Sequence, residues 1–230
     1  MIDDLTVPDY IQEALNSPRR PDTDKALDEI RRIADLMNFF DIRPGQRVAD
    51  LMASRGYIAG LLAEIVGDAG IVYAQNSQAL LNRFKGKNPL VERIDKFGLE
   101  NIVPVTAELE EIEFPEPLDA AFSFMFYHDT VWVGTDRAEM NAAIYRSLKS
   151  GGRFAIVDHH TVSGAGTSQA KDLHRIERQV VVDEVTAAGF ELEDESTLLE
   201  NLDDPLDAMV FDKSIKDHTH KFVLKFRKPA

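Results

Sequence analysis

Residues 47–62 read Arg-Val-Ala-Asp-Leu-Met-Ala-Ser-Arg-Gly-Tyr-Ile-Ala-Gly-Leu-Leu. An apolar strand runs to Asp50, a tight turn follows, and an apolar helix begins at Tyr57. A strand that feeds a buried helix through a short turn is the first half of a βαβ unit, and it commits the chain to a parallel sheet. The turn also puts backbone N–H groups and a helix N-terminus at the end of a strand, where a ligand can be held.

The rest of the chain repeats the alternation. The opening residues are polar, with Pro8, Pro18 and Pro21. They predict a short helix near Asp9–Leu15 and then an extended basic arm, Ser17-Pro18-Arg19-Arg20-Pro21. Leu27, Ile30, Ala34, Met37 and Phe40 recur at helical spacing and predict one amphipathic helix over 24–40. Helices are expected over 57–67, 77–85, 90–97, from a cap at Asp136 to Lys149 (ended by Ser150-Gly151-Gly152), and over 167–188. Strands are expected at Arg47–Asp50, Gly70–Ala74, Asn101–Val105, Leu118–Met125, Arg153–Asp158, Phe190–Asp194 and His220–Arg227. Alternating strands and helices predict a largely parallel α/β sheet covered on both faces. The last two strands lack a helical crossover between them and should pair antiparallel. Residues 1–40 read as an arm and helix packing on a core of 41–230, together one structural domain.

Composition narrows the function. The chain has 230 residues, 44% of them hydrophobic, enough for a full core. Its formal net charge is -14, which argues against nucleic acid, since phosphate contacts need clustered Lys and Arg. The one compact basic run, Lys221, Lys225, Arg227 and Lys228, reads as the solvated side of the last strand. There is no cysteine, so disulfides, thiolate catalysis and zinc–thiolate sites are excluded. No apolar run approaches the roughly 20 residues of a membrane helix. The start, Met1-Ile2-Asp3-Asp4, carries neither the basic nor the apolar region of a secretory leader. A cytoplasmic location without membrane contact is expected.

The motifs Pro44-Gly45-x-x-Val48-x-Asp50, Gly56-Tyr57, Gly70-x-Val72-Tyr73-Ala74, Leu148-Lys149-x-Gly151-Gly152, Val157-Asp158-His159, His174-Arg175-Ile176, Ala188-Gly189-Phe190 and Phe222-x-Leu224-x-Phe226-Arg227-Lys228-Pro229 lie along nearly the whole chain. With Ser17-Pro18-x-Arg20-Pro21, they resemble class I S-adenosylmethionine-dependent methyltransferase-like proteins, in particular a bacterial subgroup of predicted methyltransferases. The resemblance implies a Rossmann-like, doubly wound sheet of seven strands, mostly parallel, with an antiparallel last strand. It also implies S-adenosylmethionine as cofactor. The loop resembles Asp-x-Gly-x-Gly-x-Gly, but Met52 and Ser54 replace two glycines and only Gly56 remains.

By position, Asp50, Met52, Ser54 and Gly56 would line the cofactor. Gln75 and Asn76 stand where an acid usually accepts the ribose hydroxyls, and Glu108 stands where adenine is bracketed. Arg55 either meets a carboxylate or points to solvent. The fourth strand ends Tyr127-His128-Asp129 and the fifth ends Asp158-His159-His160, so these ends should share one rim. His128, His159 and Tyr127 are the candidate catalytic residues, with an imidazole taking the acceptor's proton. His160 should face the other way. His174 reads as part of a charged helix face. The same rim could hold a divalent ion, but no recognised ligand spacing is present and no metal ligand is assigned. The arm is read either as a lid offering Arg19 or Arg20 to an anion or as a clasp in a homodimer.

Three functions follow. The first is methyl transfer to a small-molecule substrate. The second is a non-catalytic or repurposed member with a degenerate cofactor loop. The third, ranked last, is a metal-dependent hydrolase or lyase. Cofactor binding separates the first two.

Overall fold

The computed structural model describes residues 6–230; Met1–Asp4, read above for a leader, lie outside them. The chain divides into two compact units, Met1–Thr106 and Ala107–Ala230.

The first unit carries helices α1 (Asp9–Asn16), α2 (Asp22–Asp28) and α3 (Ile33–Phe39), then β1 (Arg47–Leu51), α4 (Tyr57–Val66), β2 (Ile71–Asn76), α5 (Gln78–Arg83), α6 (Pro89–Phe97) and β3 (Ile102–Thr106). β1 and β2 are parallel with Val48 beside Val72, and β2 and β3 are parallel with Val72 beside Ile102. α4 is apolar all round except at Glu64, and Ile58, Ala59, Leu61, Leu62, Ala63, Ile65 and Val66 are all buried. Such a helix can only be interior. Its last turn is closed by Asn101, whose Nδ2 donates to the carbonyls of Ala63 at 2.8 Å and Gly67 at 3.0 Å.

The helix expected over 24–40 is broken in two by Arg32, at φ 46°. The two halves are held by different forces. α2 is anchored by charge, with Asp24 bound to Arg93 at 2.5 Å and Asp28 to Arg20 at 2.6 and 2.7 Å. α3 is anchored by burial of Ile33, Leu36 and Met37. A straight helix could not aim both faces correctly. The arm is likewise held within this unit: the guanidinium of Arg20 is buried against Asp28, and Arg19 lies 2.8 Å from Glu64. Both arginines expected to serve an anion thus have internal carboxylate partners.

The second unit carries β4 (Leu118–Phe124), α7 (Thr130–Val133), α8 (Arg137–Ser147), β5 (Leu148–His159), α9 (Arg178–Ala187), β6 (Glu191–Ser196) and β7 (Lys221–Arg227), with 3-10 turns at Leu109–Glu111 and Tyr127–Asp129. Asp136 caps α8, accepting from the N–H groups of Ala138 and Glu139 at 3.1 Å each. α8 stops at Ser147, and Ser150-Gly151-Gly152 lies inside β5 rather than ending the helix. β4 and β5 are parallel, and β7 is antiparallel to both β5 and β6. The strand order of the seven-stranded sheet is β3-β2-β1-β4-β5-β7-β6.

Two further expectations fail in this unit. The basic run is not one solvated side: Lys221 is buried, Lys225 and Lys228 are half-buried, and of the four Arg227 alone is exposed. Arg227 pairs with Glu191 at 3.2 Å, and Lys228 donates to the carbonyls of Tyr145 and Leu148 at 2.8 and 2.6 Å. The helix expected over 167–188 begins only at Arg178. Residues 167–175 turn instead. The Ile176 N–H bonds to the His159 carbonyl at 3.0 Å, and the buried Arg175 binds Asp204 at 2.9 and 3.1 Å. Arg175 also donates to the carbonyls of His160 and Ala208, at 3.0 Å each. Burying a guanidinium demands such a partner set, and tertiary demand outweighs helix propensity.

Candidate functional site

Site residues occur in both units. In the first unit, the turn after β1 holds Met52, Ser54 and Gly56 at φ 52°, 53° and 79°. These alternate positions adopt the left-handed backbone natural to glycine, although two carry side chains. Each such residue costs roughly 1–2 kcal/mol, so something must hold the turn. β2 does so. Gln75 Oε1 accepts the Met52 N–H at 2.9 Å, and Asn76 Oδ1 accepts the Ser54 N–H at 2.7 Å. Asn76 Nδ2 returns a bond to the Ser54 carbonyl at 3.3 Å, and the Ala53 N–H reaches the Gln75 carbonyl at 2.9 Å. Gln75 and Asn76 are buried. The two residues expected at the ribose are therefore the clamp of the turn.

Gly56 is required twice over. Its φ is left-handed, and a Cβ there would meet Leu90 Cδ1 at 2.8 Å and Arg93 Cδ at 3.2 Å. Asp50 is buried at the end of β1, where one hydrogen bond comes from the Ala59 backbone in the first turn of α4. Its Oδ2 has no partner. Burial, only partly offset by the Ala59 bond, pushes its carboxyl up to about 7. Arg55 is exposed and stacks over the Phe84 ring at 5.0 Å, so it takes the solvent side of the two alternatives. In the second unit, Glu108 is exposed just before the 3-10 turn at Leu109–Glu111.

The rim expected at the ends of β4 and β5 does assemble in the second unit. Met125, at φ 53°, follows β4 directly, and its N–H bonds to the Val157 carbonyl at 2.6 Å. The chain then turns through Tyr127–Asp129. Asp158, fully buried at the end of β5, accepts the His128 N–H at 2.8 Å and the His159 N–H at 2.7 Å. His128 Nδ1 lies 2.6 Å from Asp158 Oδ1. On the other edge of the ring, His128 Nε2 is 3.1 Å from Asp129 Oδ1 and 3.2 Å from His174 Nδ1. His174 Nδ1 is itself 3.2 Å from Asp129 Oδ1, which also accepts the Trp132 indole N–H at 3.0 Å.

Charge divides the histidines. Burial alone would lower His128, but Asp158 and Asp129 overcome it and hold the imidazole up at about 10. Burial would raise Asp129, but its bond to His128 and the nearby His174 pull it below the usual carboxylate range. His159 goes the other way. Burial, then the positive charge of Lys221 and of His128, keeps it well below an ordinary histidine. Its Nδ1 pairs with Thr219 Oγ1 at 2.8 Å, and its ring meets His128 edge to face at 5.8 Å. One imidazole is thus a cation and its neighbour is neutral, the arrangement that separates acid from base.

Tyr127 is not part of this constellation. It is buried, its hydroxyl donates to Glu184 Oε2 at 2.9 Å, and that hydroxyl accepts from Asn141 at 2.8 Å. His160 stacks with His220 at 5.3 Å, on the alternate side as expected. His174 joins the rim because it lies in a turn at φ 56° and not on a helix. Its neighbour Arg175 anchors that turn to Asp204, a residue with no signal in the sequence beyond its charge.

No family model matches the chain. A ubiquinone/menaquinone biosynthesis C-methyltransferase, UbiE, of Teredinibacter turnerae is 30% identical over 134 residues, 58% of this chain and 51% of that protein. The chain thus spans about half the length of the curated relatives it matches. Among solved structures, a SAM-dependent methyltransferase from Aquifex aeolicus is similar with TM-score 0.62 and 17% identity, covering 88% of this chain and 98% of the other. The [4+2]-cyclase SpnF is similar with TM-score 0.64 and 17% identity, covering 87% and 81%.

Proposed function

From its similarity to a UbiE C-methyltransferase and, in fold, to a SAM-dependent methyltransferase structure, we propose that the chain is a class I S-adenosylmethionine-dependent methyltransferase-like protein that binds S-adenosylmethionine and transfers its methyl group to a small-molecule acceptor. The turn after β1 carries this reading. It follows the left-handed path at three alternate positions, leads into the N-terminus of α4, and keeps beside it a buried carboxylate with one oxygen unpartnered. Asp50 Oδ2 suits a donor of positive charge, which a cofactor ammonium provides. Met52, Ser54 and Gly56 would line the cofactor's path. Gln75 and Asn76 would act through the turn that they hold, and Glu108 would approach the base.

When bound, the cofactor supplies a methyl carbon on a sulfonium sulfur, open to in-line attack by a nucleophile. The residues of the second unit provide for the acceptor's proton. Neutral His159 would take it, while cationic His128, fixed by Asp158, would orient the acceptor through a hydrogen bond. The net charge of -14 disfavours a polyanionic acceptor and supports a small one.

One observation favours a second reading, a repurposed fold without methyl transfer. The N–H groups of Met52 and Ser54 are taken by Gln75 and Asn76, so fewer loop donors remain for a ligand. Calorimetric titration with S-adenosylmethionine and S-adenosylhomocysteine decides between the two. Micromolar binding, weakened in Gly56→Ala, supports methyl transfer. No heat at millimolar ligand with folded protein moves the assignment to the second reading.

A further inference from the structure

We infer that His128 Nε2, Asp129 Oδ1 and His174 Nδ1 form a binding site for one divalent first-row transition-metal ion. The inference goes beyond methyl transfer and stands without it.

The geometry is that of one face of a coordination shell. The three donor atoms are 3.1, 3.2 and 3.2 Å apart, a nearly equilateral triangle. Ligands about 2.1 Å from a common ion and at right angles to one another are separated by about 3.0 Å, and at the tetrahedral angle by about 3.4 Å. The observed triangle falls between these limits, so an ion about 1 Å above its plane touches all three at ordinary bond lengths. Two imidazoles and one carboxylate on a single face, with the other positions open, is the donor set of non-haem iron(II) and of related zinc and manganese sites.

The supporting groups are those a metal centre needs. Asp158 lies 2.6 Å from His128 Nδ1, which holds a proton on that nitrogen, and the ion would take Nε2 by displacing the proton that the ring carries there when cationic. A carboxylate behind a ligating imidazole is the usual orienting device. Trp132 fixes the carboxylate of Asp129 at 3.0 Å. The ring of His174 sits against Trp132 and Phe211, at 6.1 and 5.1 Å between centroids. The left-handed turn at His174 is tied down by the buried Arg175–Asp204 pair. A strained backbone at the residue that closes the triangle is more readily explained by a function than by stability. The side chains of Asp129 and His174 are 25% and 24% exposed, leaving a side from which water or an oxygen ligand completes the shell.

The test uses the full chain without an affinity tag, stripped with chelator and titrated calorimetrically with zinc chloride. Cobalt(II) chloride and its visible absorption give a second readout. One ion per chain is expected. His174→Ala and Asp129→Asn should each weaken binding about 100-fold or more, and Asp158→Asn by about 10- to 100-fold through loss of the orienting carboxylate. His218→Ala, at an exposed histidine outside the triangle, should leave it unchanged. Circular dichroism and a thermal transition establish that each variant is folded. Wild-type protein that takes up no stoichiometric ion, or uptake unaffected by both His174→Ala and Asp129→Asn, overturns the site. Because no S-adenosylmethionine is present, failure here leaves the methyl-transfer reading standing, and failure of the cofactor titration leaves the metal site standing.

Discussion

Asn76 grips Ser54 at both ends of its peptide group, accepting its N–H at 2.7 Å and donating to its carbonyl at 3.3 Å. The grip holds a serine at φ 53°, where a glycine would sit without strain. Ser54→Gly keeps both backbone bonds and removes the Cβ. Relief of roughly 1–2 kcal/mol of left-handed strain is opposed by the greater freedom of an unfolded glycine, about 0.5–1 kcal/mol. The expected result is a gain of up to about 1.5 kcal/mol, seen as a higher denaturant midpoint with unchanged slope. A loss of stability would mean that the serine side chain makes a contribution its backbone does not reveal.

Asp50 makes stability pH-dependent in the first unit. Its folded-state pKa is raised from 3.8 to about 7, so the native state binds more protons than the unfolded state between about pH 4 and pH 7. Stability contributed by this group is therefore lost as pH rises through that window. Asp50→Asn removes the penalty. Its stability relative to wild type should rise from pH 4 to pH 7, at about 1.4 kcal/mol per pKa unit, and then level off. Denaturant titrations at intervals across the range check this. Curves that run parallel for the two proteins would show that Asp50 does not titrate there.

Tyr127 was expected at the rim and is found in the core. Tyr127→Phe leaves the buried amide of Asn141 and the Arg137–Glu184 pair without the hydroxyl that joins them. A cost of about 1–3 kcal/mol follows from the unpaired donor. Binding of zinc and of S-adenosylmethionine should be unaffected in the folded variant. The reverse pattern, full stability with lost binding or turnover, would return the hydroxyl to the site.

Arg175 and Asp204 are both 0% exposed at their side chains. Arg175→Met leaves the buried Asp204 carboxylate with the N–H groups of His220 and Leu206 but no cation, and frees the carbonyls of His160 and Ala208. It should cost about 3–5 kcal/mol, as for other buried pairs broken on one side. Since His174 is the preceding residue, zinc affinity should fall as well. Arg175→Lys keeps the charge without the fork and should lie between the two. Normal zinc affinity in a folded Arg175→Met chain would show that the turn at His174 holds itself.

Much of the sheet was legible in periodicity. The strands at Arg47, Leu118 and Lys221 begin within a residue of where apolar runs (alternating in the last) put them, because burial of a strand's faces dictates residue type locally. The pairing of β7 with β6 also followed from the missing helical crossover. Elements whose ends depend on distant charge were misread. The helix over 24–40 breaks where α2 turns to its ion pairs with Arg93 and Arg20. The helix over 167–188 loses its first half to Asp204, 29 positions from Arg175.

The candidate site divides in the same way. His128, Asp158 and His159 could be named because they end adjacent strands, and strand ends converge by topology. The missing glycines at 52 and 54 were equally visible. Sequence by itself determined the fold and the residue types available at each strand end. Only the tertiary structure decided how they are used: that Gln75 and Asn76 hold the turn, that Tyr127 faces Asn141 and Glu184, and that His174 closes a triangle with His128 and Asp129. The reason is physical. Periodicity reports which face of an element is buried, whereas hydrogen bonds and ion pairs depend on ångström-scale distances between residues far apart in the chain, and these exist only once the backbone has folded.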